Sequence, residues 1–176
     1  MLTPLLLLPA MVAHPASANM ARVDPASLPE YKVKARIIRK LLDYLEWPNM
    51  EAGRPIVVAV LEPSSFEDHL AQELENGLVR GRPLKFRLLR SISQIDQCDV
   101  VFIPETWEEN LDRLLGSLKG KPIISISDTP GFANRGVIIN LAPAEGKTRL
   151  EVNLESLKRS GVSLSPQLLK FAIIVR

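Results

Sequence analysis

The chain has 176 residues, of which 46% are hydrophobic and 24% are charged, and these values are close to those of an average globular protein. They exclude a disordered, collagen-like or coiled-coil chain and favour one domain of ordinary size. The 22 basic and 20 acidic residues give a net charge of only +2, which argues against a nucleic-acid partner. With Cys98 as the only cysteine and His14 and His69 as the only histidines, the chain is unable to form an intramolecular disulfide or a structural zinc site of thiolates and imidazoles.

Residues 1–18 differ from the rest of the chain. They contain no charged residue, include four consecutive leucines at positions 5–8 and end in small residues at 16–18. This pattern predicts a signal peptide that is cleaved after Ala18, although no basic residue precedes the leucines and Pro4 and Pro9 interrupt the run. The run is too short for a membrane span, which needs about 20 apolar residues. We therefore expect secretion and a single mature domain over residues 19–176.

Helices alternate with strands in the first part of the predicted mature chain. Ser64 and Thr106 each stand three residues before a glutamate, which is the spacing of a capping box at the start of a helix. The predicted elements are an amphipathic helix over 30–47, a buried strand over 56–61, a helix from 64 to 77, a strand over 83–89, a short helix over 92–95, a strand over 100–103, a helix from 106 to 120 and a strand over 122–127. This alternation predicts an α/β fold with a doubly wound, mostly parallel sheet of the Rossmann or flavodoxin-like kind.

The pattern changes after residue 131. Residues 137–141 and 149–153 predict two strands that are joined by a polar turn, and we expect an antiparallel hairpin at the edge of the sheet. Asn153 is expected to cap a short helix. Ser165, followed by Pro166, is expected to begin a last helix that continues through Ile173.

Polar residues follow three of the predicted strands at their carboxyl ends, where open α/β sheets bind ligands. Ser64, Thr106 and Asp128 are therefore the candidate residues of a small-ligand crevice, although helix caps explain the same residue types. Ser64 with His69 and Asp128 also suggests a hydrolase, but the sequence contains no Gly-x-Ser-x-Gly elbow.

A basic stretch over residues 78–90 contains no acidic residue. It predicts either a surface for an anion or a protein partner, or a solvated edge strand whose charges discourage aggregation, and the sequence leaves both open. We take Arg80, Arg82 and Arg87, together with Arg36 of the amphipathic first helix, as the candidate partner-binding residues.

Several segments follow one another in an order and spacing that one family shares. They are Leu45-Glu46-Trp47-Pro48, Val60-Leu61, Val79-Arg80-Gly81-Arg82-Pro83-Leu84, Cys98-Asp99-Val100-Val101-Phe102-Ile103, Ser125-Ile126-Ser127-Asp128, Gly131-Phe132 and Gly136-Val137-Ile138-Ile139-Asn140-Leu141. Together with Val152-Asn153 and the segment over 163–169, they resemble the YfiR-like proteins. The resemblance covers about residues 33–175.

The resemblance implies a periplasmic, non-enzymatic regulator without a cofactor or a metal. Such a protein binds and represses an inner-membrane diguanylate cyclase, and so lowers cyclic diguanylate and biofilm formation. Similar domains also serve membrane sensor kinases, which leaves a periplasmic small-ligand-binding sensor domain as the alternative. The resemblance further implies a homodimer and sensitivity to redox state through paired cysteines. Cys98 matches a family cysteine, but Ala59 stands where its partner often lies, so we expect no disulfide switch in this chain.

Overall fold

The computed structural model describes residues 28–48, 50–144 and 147–176, so the predicted signal peptide over residues 1–18 lies outside the described residues. The α-helices are α1 (Leu28–Leu41), α2 (Glu67–Leu74), α3 (Leu111–Leu118), α4 (Phe132–Arg135), α5 (Leu154–Ser160) and α6 (Pro166–Leu169). The strands are β1 (Leu45–Glu46), β2 (Ile56–Leu61), β3 (Leu78–Val79), β4 (Arg82–Leu89), β5 (Val100–Phe102), β6 (Ile124–Ser127), β7 (Ile139–Ala144), β8 (Lys147–Asn153), β9 (Ser163–Leu164) and β10 (Ile173–Val175). Short 3-10 helices cover Leu42–Tyr44, Ile92–Gln97 and Glu105–Asn110. Within the described part of the chain, no helix is both long enough and apolar enough to cross a membrane.

The main sheet has eight strands in the order β10-β8-β7-β6-β5-β2-β4-β3, and β1 pairs separately with β9. The five strands from β7 to β4 in this order are parallel to one another. β8 is antiparallel to β7, β3 is antiparallel to β4, and β10 is parallel to β8. The predicted α/β fold with a mostly parallel sheet and an antiparallel hairpin is thus confirmed.

Two apolar cores lie on opposite faces of the sheet. Val58 and Val60 of β2 belong to one core, and Ala59 and Leu61 belong to the other, because successive side chains of a strand point to opposite faces. Helices α1, α2 and α5 contribute to the first core, and α3 and α4 contribute to the second. Burial on both faces explains why β2 has a continuous apolar sequence.

The first helix is shorter than the predicted helix over residues 30–47. α1 ends at Leu41, and a 3-10 turn then leads into β1. Leu45 of β1 pairs with Leu164 of β9 and is only 2% exposed. Its apolar side chain fits the helical periodicity of the sequence, but the residue is part of a strand, and the side chain is buried there. The pairing of β1 with β9 overrides the local helical pattern.

Neither of the two predicted capping boxes forms. α2 begins at Glu67, and the Ser64 hydroxyl accepts a hydrogen bond from the backbone N–H of Phe66 at 3.1 Å. A 3-10 helix precedes α3, and the Thr106 hydroxyl donates to the backbone carbonyl of Pro63 at 3.1 Å. Both hydroxyls therefore stabilise loops rather than helix ends.

The predictions for the last third of the chain are confirmed except at its end, where β10, and not the predicted hairpin, forms the edge of the sheet. The side chain of Asn153 accepts from the backbone N–H of Ser156 at 2.8 Å, and the side chain of Ser165 accepts from that of Gln167 at 3.3 Å. The predicted continuation of the last helix through Ile173 is wrong, because α6 covers only Pro166–Leu169 and β10 follows it. β10 has an Ile-Ile-Val sequence, which favours a strand, and it lies outside the hairpin as the outermost strand.

Candidate functional site

The strand order places a topological switch point at β2. This strand has β4 on one side and β5 on the other, and both run parallel to it. Ligands of open α/β sheets bind outside the carboxyl ends of the strands at such a point. Ser64 lies in the loop after β2, Thr106 lies in the loop after β5, and Asp128 follows β6.

The loops after β2 and β5 are hydrogen-bonded directly to each other. The Thr106 hydroxyl donates to the carbonyl of Pro63 at 3.1 Å, and the indole N–H of Trp107 donates to the carbonyl of Glu62 at 2.9 Å. The structure thus brings Thr106 against the carbonyl of Pro63, the residue before Ser64. Trp107 is not among the predicted site residues, and its position directly after Thr106 is the only sequence signal for it. The contacts close this part of the predicted crevice with protein groups.

Asp128 is held by a buried lysine of α1. Its carboxylate lies 2.7 Å from Nζ of Lys34, whose side chain is only 7% exposed. Lys34 also lies 2.6 Å from a carboxylate oxygen of Glu30. Burial lowers the pKa of Lys34, but the hydrogen bonds and charges of Asp128 and Glu30 outweigh it and raise the pKa above its ordinary value. Asp128 therefore joins α1 to the end of β6, and the structure gives it no hydrogen bond to Ser64 or Thr106.

Behind Asp128, a buried polar network connects the ends of β5, β6 and β7. The Ser127 hydroxyl donates to the carbonyl of Ile103 at 2.7 Å and accepts from the backbone N–H of Thr129 at 3.2 Å. The amide N–H groups of Asn140 donate to the carbonyl of Thr129 at 3.0 Å and to Glu151 at 3.1 Å. Thr129 Oγ1 and Asn140 Oδ1 are buried and have no hydrogen-bond partner within the described residues. Such atoms in a native fold call for an explanation, and a bound water or ligand supplies one.

An open depression borders the same loops. It has a volume of about 400 Å³ and is lined by Glu62, Pro63, Ser64, Glu67 and Arg90. The guanidinium of Arg90 donates to the carboxylate of Glu62 at 2.7 Å. Burial and the negative charges of Glu62 and Asp68 raise the pKa of Glu67 above its ordinary value. Of the predicted crevice residues, only Ser64 lines this depression.

Arg36 and Arg80 lie on the side of the molecule that α1 covers. The Arg36 side chain is 73% exposed, and its Nε lies 3.7 Å from a carboxylate of α2. The Arg80 side chain is 51% exposed and donates to the carboxylate of Glu46 at 2.7 Å. Arg39 connects α1 to β3, because its guanidinium donates to the carbonyl of Leu78 at 2.7 Å. The first helix and the beginning of the basic stretch are thus neighbours.

Arg82 and Arg87 are placed differently from Arg36 and Arg80. The Arg82 guanidinium donates to backbone carbonyls of the segment over 50–54, so it fastens this segment to β4. Arg87 follows Phe86, which packs against the first core, and so it points to the opposite face of the sheet. There it donates to the side chain of Gln97. The structure therefore places Arg36 and Arg80 on neighbouring segments with separate carboxylate partners, whereas Arg82 anchors a backbone segment and Arg87 lies on the opposite face of the sheet.

Cys98 is a buried thiol in the second core. It is 6% exposed and donates to the carbonyl of Ile95 at 3.3 Å. Burial, with a contribution from the charge of Asp99, raises the pKa of the thiol to about 12. Ala59 is fully buried in the same core. Among the residues that the structure describes, no group of histidine, cysteine or carboxylate side chains is arranged to hold a metal ion.

Comparison with protein families gives one match that spans most of the chain. The family model described as DUF4154, YfiR/HmsC-like, matches residues 31–173. This range begins in α1 and ends in β10, so it includes both loops of the switch point and the basic stretch.

Comparison with solved structures gives similar folds at low sequence identity. One is an ABC domain in complex with L-Trp from Streptococcus pneumoniae, with a TM-score of 0.54 and 11% identity. Another is a conserved domain protein from Vibrio cholerae O1 biovar El Tor, with a TM-score of 0.56 and 11% identity. In both cases the match covers 83% of this chain and 60% of the other, so this chain spans well under two thirds of their length. At this identity the likeness shows the α/β fold alone.

Proposed function

The chain belongs to the YfiR/HmsC-like family, and from this membership we propose that it is a periplasmic, non-enzymatic regulator. It binds and represses the periplasmic region of an inner-membrane diguanylate cyclase or sensor, and thereby lowers cyclic diguanylate signalling. The family match over residues 31–173 is the observation that carries this proposal. Delivery to the periplasm depends on cleavage of residues 1–18, and N-terminal sequencing of the envelope form should begin at Asn19.

Repression by binding is a shift of a conformational equilibrium. The regulator must bind the inactive conformation of the cyclase more tightly than the active one. Each tenfold change in that equilibrium requires about 1.4 kcal/mol of differential binding energy. The regulator therefore needs an exposed surface that carries both apolar and charged contacts.

The surface of α1 beside β3 supports this requirement. Val33 of α1 is 50% exposed and Leu78 of β3 is 58% exposed, so both large apolar side chains are accessible to a partner. Arg36 lies on α1 and Arg80 lies in the turn directly after β3, and both side chains are more than half exposed. Arginine beside apolar groups is a composition that protein interfaces favour. We propose this α1–β3 surface, defined by these four residues, as the contact with the cyclase.

Cellular cyclic diguanylate tests the proposal directly. Deletion of the gene should raise cyclic diguanylate, and restoration of the wild-type gene in trans should reverse the rise. Arg36→Glu should fail to restore repression, because it inverts a charge at the contact while the protein remains folded. Arg113→Glu, which inverts an exposed charge on α3, is the matched control and should restore it fully. Unchanged cyclic diguanylate in the deletion strain would overturn the proposed function, and equal restoration by the two variants would overturn the proposed surface.

The homodimer that the family resemblance implies belongs to the same proposal. Light scattering on the purified mature chain should give twice the mass of one chain. A single-chain mass at all protein concentrations would remove the dimer from the proposal without affecting repression.

A second candidate function is a small-ligand sensor that acts with a membrane kinase or another partner. The observation that favours it is the pair of unpartnered buried atoms, Thr129 Oγ1 and Asn140 Oδ1, beside Asp128. A ligand that bonds to them should raise the melting temperature, because it binds only the folded chain. A panel of small metabolites should then give a rise in wild type that is reduced in Asn140→Ala, with each protein compared with its own ligand-free melt. The absence of any rise would remove this candidate.

A further inference from the structure

A second group of polar side chains surrounds a cavity away from the switch point. The cavity lies where the end of α3 and the turn after it meet α5 beside β6, and its volume is about 100 Å³. Its polar lining consists of the basic residues Lys119, Arg135 and Arg159 and the hydroxyl residues Ser125, Ser156 and Ser160. None of these residues belongs to the predicted crevice or to the α1–β3 surface.

Two of the hydroxyl groups have a hydrogen to donate. Ser125 is 1% exposed, and its Oγ accepts from the backbone N–H of Ile138 at 2.9 Å. Ser156 is 8% exposed, and its Oγ accepts from the guanidinium of Arg159 at 2.9 Å. Within the described part of the chain, neither hydroxyl donates to a protein acceptor. Buried O–H groups normally donate a hydrogen bond. An acceptor inside the cavity would supply the missing partner of both hydroxyls.

The carboxylates that pair with the two arginines are exposed; Arg135 also donates to the backbone carbonyl of Glu108 at 3.2 Å, and Arg159 donates to Ser156. Arg135 lies 3.1 Å from Asp112, and Arg159 lies 3.6 Å from Glu155. These two carboxylate side chains are 81% and 64% exposed, and ion pairs at such positions contribute little to stability. Lys119, in the turn after α3, adds a third positive charge to the lining. An anion in the cavity therefore meets cations whose ion pairs within the protein are weak.

The size of the cavity and its donors define the ligand class. Its volume of about 100 Å³ is below the roughly 150 Å³ that accommodates benzene, so it suits an ion of a few heavy atoms. Two guanidinium groups, one ammonium and two hydroxyls match four acceptor oxygens and two negative charges better than the two oxygens of a carboxylate. Leucine and isoleucine side chains and two glycines form the rest of the lining. We propose that this cavity binds a tetrahedral oxyanion, either inorganic phosphate or the phosphoryl group of a small metabolite.

This proposal does not rest on the proposed repression of a cyclase. It concerns a ligand site whose lining includes no residue of α1 or β3, and its test measures binding to the isolated mature chain. A failure of one proposal therefore leaves the other standing.

Isothermal titration calorimetry of the mature chain with sodium phosphate tests the site, with sodium sulfate and sodium acetate titrated at matched ionic strength. We expect saturable binding of phosphate with a Kd of about 1 mM or tighter. Arg159→Gln and Lys119→Gln should each weaken it about tenfold or more, because each removes a charged donor. Lys158→Gln removes the same charge from the neighbouring, exposed position on α5 and should change the Kd by less than about twofold. Circular dichroism melts of all the variants should match wild type.

The outcomes separate the possible readings. Binding of phosphate and sulfate, but not of acetate, supports a site for tetrahedral oxyanions, and preference for a sugar phosphate over inorganic phosphate identifies the metabolite source. Equal binding of acetate, or equal weakening by Lys158→Gln, would show a general effect of charge and overturn the site. The absence of saturable heat with wild type would also overturn it.

Discussion

The ion pair between Lys34 and Asp128 gives the most quantitative test of this structure. The Lys34 side chain is 7% exposed, the Asp128 side chain is 19% exposed, and their charged atoms lie 2.7 Å apart. Removal of one partner from a buried pair costs about 3–5 kcal/mol, because the other charge stays buried without compensation. Glu30 remains 2.6 Å from Lys34, but its side chain is 54% exposed and water screens its charge. We therefore expect Asp128→Ala to lower the free energy of unfolding by about 2–3 kcal/mol.

Urea unfolding of the mature chain, followed by tryptophan fluorescence and circular dichroism, measures this loss. Arg90→Ala is the matched control, because Arg90 and Glu62 also lie 2.7 Å apart but the Arg90 side chain is 82% exposed. Its unfolding midpoint should equal that of wild type within error. Lys34→Met should be less harmful than Asp128→Ala, because it removes the buried charge itself. The double variant should accordingly be more stable than Asp128→Ala alone.

The pH dependence follows from the raised pKa of Lys34. Burial lowers this pKa, but Asp128 and Glu30 raise it above the ordinary value of 10.5. A cation whose pKa is raised in the folded state contributes its full stability below the unfolded pKa, and this contribution is lost as pH rises through the folded pKa. The loss caused by Asp128→Ala should thus be equal at about pH 7 and about pH 9, and should shrink only above about pH 10.5. A loss no larger than that of Arg90→Ala would refute the reasoning from burial.

Three further predictions concern the cores and one helix cap. Cys98, buried and with its pKa raised to about 12, should react with a thiol reagent such as Ellman's reagent only after unfolding in guanidinium; fast reaction of the folded chain would contradict its burial. Gly77→Ala should lower the free energy of unfolding in urea by about 1–3 kcal/mol, because the added Cβ would lie 2.8 Å from a methyl of Leu84 and 3.0 Å from the backbone carbonyl oxygen of Leu74; an unchanged midpoint would show that the core relaxes there. Asn153→Ala should lower the free energy of unfolding by about 2–3 kcal/mol, since it removes the cap of α5 and a 2.9 Å bond to the carbonyl of Ala133. Asn153→Asp keeps the cap and should lower it by less. Equal losses for the two variants would show that the cap of α5 does not contribute to stability.

Local sequence patterns predicted two kinds of element: strands that are buried on both faces of the sheet, and elements whose apolar residues recur with a regular period. β2 was predicted with its correct ends because every residue of the run at 56–61 contributes to a buried or nearly buried strand. β1 and β10 were not predicted, since a two-residue and a three-residue strand form only when a distant partner is available. Their partners are β9 for β1 and β8 for β10. The sequence of the short strand itself does not show that such a partner is present.

The candidate site was predictable in its position but not in its contacts. The rule that ligands bind at strand ends identified Ser64 and Thr106, which do lie in facing loops. The partner of Asp128 is Lys34, which is 94 positions away in the sequence and is part of a helix whose pattern groups it with the charged residues outside the apolar face. A lysine of this kind is recognised as buried only when the packing of α1 on the sheet is known. The same holds for the cavity beside α5, whose lining comes from four separate segments.

The two hydrogen bonds that join the loops after β2 and β5 also set a thermodynamic condition on any ligand of the switch point. Each bond contributes about 1 kcal/mol, so parting the loops at Pro63 costs about 2 kcal/mol. The parted form would then have a population of about one molecule in thirty. A ligand that requires it would show an apparent affinity about thirtyfold weaker than its intrinsic one. Substitution of Trp107 would remove one of the two hydrogen bonds and so part of this penalty. Such a variant would have a less stable fold but would bind the ligand more tightly.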